Sequence, residues 1–215
     1  MILTRTYLNS RRSGARKLLG SPQAMHAALL AGFPPDSDPG RILWRVDHAK
    51  SVKPVVYIVS RDRPDLVHLD EQAGWPSLPS ASSLAYDGFL DQLATGQTWG
   101  FRLTANPAHH ATENGRKRVY AHVTAAQQAT WLLDRSDRLG IRLTDPGDHA
   151  TPTFQVIERS TRTFRRDSAT VTLGVATYTG VLQVTDPQLL QQALTAGVGR
   201  AKAYGCGLMT LAGPA

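Results

Sequence analysis

The chain has 215 residues, 41% of them apolar, with 13 prolines and 18 glycines. That is enough for one large domain or two small ones, and too apolar for a disordered segment. The 24 lysines and arginines outnumber the 17 aspartates and glutamates, giving a formal charge of +7 that favours a polyanionic partner. A single cysteine, Cys206, excludes an internal disulfide and fits a reducing compartment. Residues Met1 to Arg5 turn polar too early for a signal peptide, and runs such as Val55 to Val59 are far shorter than a membrane span. A soluble, cytoplasmic protein without a membrane partner is expected.

Residues 1–8 read as a strand, followed by a basic stretch. No carboxylate precedes Asp36, so Arg5, Arg11, Arg12, Arg16 and Lys17 make a purely positive surface. Ser21-Pro22 is a helix start, and Met25, Ala28, Leu29 and Phe33 recur at helical spacing until Pro34-Pro35 stops them. Two β-rich runs follow at 41–46 and 54–59, then a Pro/Ser-rich stretch at 74–83, a helix at 84–93 and a strand at 98–104. The order β-α-β-β-α-β is the ferredoxin-like pattern.

The order then repeats: a strand at 119–123, a helix capped by Thr124 and ended by Gly140, β-rich runs at 154–157 and 171–184, a helix at 187–196 and a strand at 208–211. The expected fold is α+β, two tandem ferredoxin-like domains, residues 1–95 and 96–215, with a junction reaching to about residue 118. The repeat is one of element order, without residue-level self-similarity.

Three stretches have residues suited to chemistry or binding. Residues 197–207 hold Gly197, Gly199, Gly205 and Gly207 with Arg200 and Lys202 between them, so a backbone can approach phosphate closely beside two cations. This is no nucleotide P-loop, because the motif spacing is missing and the loop follows a helix. Residues 158–167 place Arg159, Arg162, Arg165 and Arg166 between two β-rich runs, a basic hairpin whose forks match phosphate oxygens and base edges. His26 lies on the first helix directly after the acid-free segment, with Gln23 on the same face. Histidine is the natural acid or base for cutting RNA near neutrality. The other histidines, His48, His68, His109, His110, His122 and His149, read as ordinary surface or core residues. No H-x-H, H-E-x-x-H or G-x-S-x-G occurs and the single cysteine leaves no compact ligand set, so no metal site and no nucleophile elbow is expected.

The run Phe101-Arg102-Leu103-Thr104-Ala105-Asn106-Pro107, followed by Arg116-Lys117-Arg118-Val119, resembles a signature of the CasE family, the Cascade endoribonucleases of subtype I-E CRISPR systems. Pro22 to Leu29, Phe154 to Arg159 and Thr179 to Pro187 are similar too, in the family's order, and the glycine loop completes a likeness spanning nearly the whole chain. The resemblance implies two RAMP-type ferredoxin-like domains and cleavage at the 3′ side of a CRISPR repeat stem-loop. The product crRNA would be kept within Cascade beside its other protein subunits, with no cofactor.

His26 matches the family's catalytic histidine, with Gln23 and Lys17 as its expected helpers. Gln23 is a departure, since the family commonly has tyrosine there, although an amide can still donate to phosphate. The resemblance and the charge together assign RNA contacts to Arg11, Arg12, Arg16, Lys117, the four hairpin arginines, Gly197, Gly199, Arg200 and Lys202. The implied chemistry uses the RNA's own 2′-OH as nucleophile, giving a 2′,3′-cyclic phosphate and a 5′-OH. Two alternatives remain open from sequence: a non-catalytic RNA-binding subunit of the same complex, and a transfer enzyme holding a small nucleotide on the glycine loop.

Overall fold

The run Val55 to Val59 is apolar without alternation because the strand it forms is covered on both faces. The computed structural model describes residues 1–47, 52–75, 81–113, 115–145, 151–166 and 169–213, with the side chains of Lys117 and Arg166 outside that description. His48 and His149 also lie outside it.

The first half contains β1 (Ile2–Tyr7), α1 (Ser13–Gly20), α2 (Pro22–Leu30), β2 (Leu43–Asp47), β3 (Val55–Ser60), α3 (Val67–Ala73) and β4 (Ser82–Ala85). Its strands lie in the order β2-β3-β1-β4, all antiparallel, with Thr4 opposite Ile58 and Leu43 opposite Val59. Side chains alternate across the pleat. Trp44, Val56 and Ile58 pack beneath the helices with Met25, Leu29 and Leu69. Leu43 and Val59 point the other way and join the core of the second half.

After the one-turn α4 (Asp87–Leu90), the second half contains β5 (Thr98–Ala105), β6 (Ala108–Glu113), β7 (Arg116–Ala121) and α5 (Ala125–Leu133). It continues with β8 (Ile141–Arg142), β9 (Phe154–Arg166), β10 (Ala169–Val184), α6 (Pro187–Ala196) and β11 (Met209–Ala212). The second sheet runs β11-β5-β10-β8 with β9 also paired to β10, while β6 and β7 form a separate hairpin. The fold is α+β, two tandem ferredoxin-like units.

Two helix starts have the chemistry read from sequence: Ser21 Oγ accepts from the Ala24 amide at 3.2 Å, and Thr124 caps α5. Gln127 completes a capping box with Thr124, and Asp186 caps α6 through the Gln188 and Leu189 amides.

Several elements differ from expectation, and α1, β6 and β8 fall where no element was expected. The strand expected to close the first sheet, 98–104, sits between β10 and β11, because Phe101, Leu103 and Ala105 are buried in the second core. The first sheet is closed instead by β4, where a helix start was expected. The run at 119–123 belongs to the β6–β7 hairpin and not to the main sheet. The helix that follows β3 in the first unit is α3, which buries only Leu69 and Ala73, too faint a period to read. Among the described residues no helix is long and apolar enough to cross a membrane.

One side chain joins the two sheets. Arg45 of β2 is 1% exposed and satisfies all five N–H donors. Nε and Nη2 bond Asp47 at 2.7 and 3.0 Å, and Nη1 bonds the carbonyls of Arg102 and Leu208 at 2.8 and 3.1 Å. Nη2 also donates to Thr210 Oγ1 at 2.8 Å, and Tyr57 lies 5.3 Å from the guanidinium. Arg45→Met keeps a similar stem but leaves Asp47 and two carbonyls short of donors. It is expected to lower unfolding free energy in urea by about 3–5 kcal/mol; a drop of less than about 1 kcal/mol would show that the fork is dispensable.

Candidate active site

Ser21 ends α1 and caps α2, so the two helices meet at a tight corner. Pro22, Met25 and Leu29 anchor one stripe of α2 in the core. His26, one residue off that stripe, is therefore held half-buried at its margin. Gln23 is one turn earlier. Gln23 Oε1 and His26 Nδ1 are both buried and have no hydrogen-bond partner among the described residues. Buried polar atoms of this kind ordinarily find partners, so the pair offers hydrogen-bonding capacity that a ligand's polar groups can take up. Burial also pushes the His26 pKa below its ordinary 6.5, so the free ring is mostly neutral at pH 7. By contrast, His68 is structural, its Nε2 lying 2.8 Å from the Ala28 carbonyl oxygen.

A cleft of about 370 Å³ opens in front of His26, with Arg41, Lys202 and Ala203 across from it. Lys202 comes from the glycine loop, whose 3-10 turn, Lys202–Tyr204, packs on α2. The loop lies this close because it is pressed flat onto β2. A Cβ on Gly197 would fall 2.7 Å from a Leu43 methyl, and one on Gly205 would fall 2.7 Å from the Trp44 ring. Both glycines also have positive φ, 78° and 76°. The loop base is fixed by Val198 N donating to Gly207 O at 2.8 Å and Gly207 N donating to Thr104 O at 2.7 Å. Lys202 Nζ donates to the Ala196 carbonyl at 2.6 Å, and its pKa is lowered by burial and then by the Arg41 charge.

The basic hairpin β9–β10 packs on the same 3-10 turn, outside the His26 cleft. Phe164 tilts its ring against that of Tyr204 in the 3-10 turn, centroids 4.7 Å apart, and Arg162 Nη1 donates to the Tyr204 carbonyl at 3.5 Å. A second cleft of about 370 Å³ separates this strand from α1 and α2, with Leu18, Met25 and Trp44 on one wall and Glu158 and Arg162 on the other. Arg159 and Arg165 are exposed on the opposite face of the strand, Arg159 donating to the Val123 carbonyl at 3.3 Å.

The remaining expected residues are spread more widely. Arg11, Arg16 and Lys17 are exposed around α1. Arg12 is directed at the end of α3, where it bonds the carbonyls of Asp70, Glu71 and Gly74. Lys17 does not line the His26 cleft, whose cations are Arg41 and Lys202. Gly199 packs against Trp131, and Arg200 Nη1 lies 3.2 Å from His110 Nε2. Lys117 and Arg166 have no described side chain. Sequence reasoning missed Arg41, the first residue of the run read as β-rich, which lies just before β2, and Arg45, an arginine hidden in an apolar strand. The one hint for Arg45 was Asp47 two residues on, on the same strand face.

A family model described as CRISPR-associated protein matches residues 1–213. The chain is 33% identical over 221 residues to the CRISPR-associated endoribonuclease Cse3 of Thermus thermophilus, covering 99% of this chain and 100% of that one. Its structure is similar to that of Thermus thermophilus Cse3 bound to an RNA representing a pre-cleavage complex, with TM-score 0.80, 30% identity and 98% of each chain covered. The CRISPR-associated protein Cas6e from Escherichia coli K-12 shares the fold, at TM-score 0.68 and 22% identity over the full length of both. By the family model and by this relative, the chain belongs to the CasE (Cse3) family of CRISPR-associated proteins.

Proposed function

We propose that the chain is a metal-independent endoribonuclease that cuts CRISPR precursor RNA at the 3′ side of the repeat stem-loop and retains the product crRNA within Cascade. The observation that carries this reading is the meeting of three distant segments: α2 presents half-buried His26 to a cleft shared with the glycine loop, and the arginine hairpin packs on the turn of that loop and on α2. The RNA-bound relative supports the substrate class, and the excess of cations supports a polyanion.

In this reading the stem lies along β9–β10 and α1, contacted by Arg159, Arg162, Arg165, Arg11 and Arg16. The strand leaving its 3′ base enters the His26 cleft. Neutral His26 takes the proton from the 2′-OH beside the scissile phosphate. The oxygen attacks phosphorus, and the 5′-oxygen leaves, giving a 2′,3′-cyclic phosphate and a 5′-OH. Lys202 has its pKa lowered by burial and by Arg41, which makes its ammonium a better acid towards the departing oxygen. Arg41 and the loop amides offset charge on the phosphorane, and the Gln23 amide holds a phosphate oxygen. The stem is held equally well before and after the cut, so product release is slow.

His26→Ala is expected to slow single-turnover cleavage by about 10²–10⁴-fold while hairpin affinity stays level. Cutting at the wild-type rate would remove His26 from the mechanism. With His26 as base, the rate climbs as pH rises through the ring's lowered pKa and levels off by neutrality. A rate that falls over that range would make His26 the acid.

A 2′-deoxy residue 5′ to the scissile phosphate should block cutting and leave binding intact, and EDTA should change neither. Cleavage of the deoxy substrate would mean that the nucleophile comes from solvent. Replacing Arg159, Arg162 and Arg165 by alanine should lower the log–log salt slope of binding by about one for each phosphate that an arginine had neutralised. An unchanged slope would make the hairpin a solvated surface.

A further inference from the structure

A larger cleft, about 570 Å³, lies beside the glycine loop and outside the site described above. Its walls include His109 and His110 of β6, His122 just after β7, and Trp131, Asp134 and Arg135 at the end of α5. It is joined to the loop at two points. Gly199 packs against the Trp131 ring, and Arg200 reaches His110 at 3.2 Å.

The chemistry of these walls is that of a single-strand site. His109 and His122 have ring centroids 4.8 Å apart, with Tyr120 6.0 Å from His109, so three rings offer flat faces at one rim. The rings of His109 and His122 are too close to admit a base between them, which leaves their outer faces for stacking. Arg135 lies over Trp131 at 4.2 Å and Arg200 borders the other side, two guanidinium groups for phosphates. The exposed Asp134 carboxylate can accept from a base amine. Among the described residues no set of three or more His, Cys, Asp or Glu side chains is arranged to hold a metal ion. Rings interleaved with cations suit unpaired nucleotides, which stack on aromatic faces while the backbone follows the charge.

We propose that this cleft takes the unpaired nucleotides 3′ of the cut, an extension of the endoribonuclease reading and dependent on it. The strand that leaves the stem at His26 passes Lys202, then Arg200, and arrives at His110. The cleft therefore holds the segment downstream of the scissile phosphate and helps to draw the strand taut across His26.

The test uses repeat hairpins made uncleavable by a 2′-deoxy residue at the cut, bare or extended by about six nucleotides on the 3′ or the 5′ side. The 3′ extension should tighten binding to the wild-type protein by roughly tenfold, about the effect of one stacked base, and the 5′ extension should not. His109→Ala with His122→Ala should bind the bare hairpin as wild type does, which also reports its folding, and should lose the gain from the 3′ extension. The proposal is overturned if the 3′ extension gives wild type no gain, or if the double variant keeps it. Failure of wild type to bind even the bare hairpin would overturn the endoribonuclease reading itself.

Discussion

Arg45 sets the geometry on which the site depends. A guanidinium taken wholly out of water costs several kcal/mol in desolvation, and that cost is offset only when every donor is satisfied in good geometry. Here the acceptors come from three strands, β2, β5 and β11, belonging to both sheets. Satisfying them all ties the two sheets to one another through this one side chain. Because Leu208 immediately follows the glycine loop, the same fork that joins the sheets also fixes where that loop ends. The loop then has one available bed, the helix-facing and core-facing residues of β2, and from there it meets α2.

This arrangement separates binding from chemistry. The exposed arginines of α1 and β9 form a broad electrostatic surface, each contributing modestly and all of them sensitive to salt. The His26 cleft is small, half-buried and short of hydrogen-bond partners, so its groups interact strongly with whatever enters. A surface of the first kind holds RNA before and after cleavage. A cleft of the second kind acts only on the phosphate that it encloses.

How much of this could be read from sequence depended on range. Caps were legible because their donors and acceptors lie within four residues, as at Ser21 and Thr124. The α+β class and the doubled element order were legible from apolar periodicity. Strand partnership was not. The run from Thr98 to Ala105 looks the same whether it closes the first sheet or centres the second, and only its pairing with β10 and β11 decides. His26, the glycine loop and the arginine hairpin could each be singled out, yet nothing local shows that they meet. Arg41 and Arg45 were hidden at the start and in the middle of one run whose other residues are apolar.

The packing of Gly205 on Trp44 has an evolutionary consequence. The indole occupies the space that a side chain at position 205 would need, the nearest approach being 2.7 Å. Neither residue is free to drift alone. A lineage that replaced the tryptophan by something small would open room at 205, and a lineage that gained a side chain there would first need the ring to go. The two positions, separated by most of the chain, should covary in size among relatives, and so should Leu43 with Gly197. Such paired drift would record the placement of the loop against β2 in sequences whose structures no one has determined.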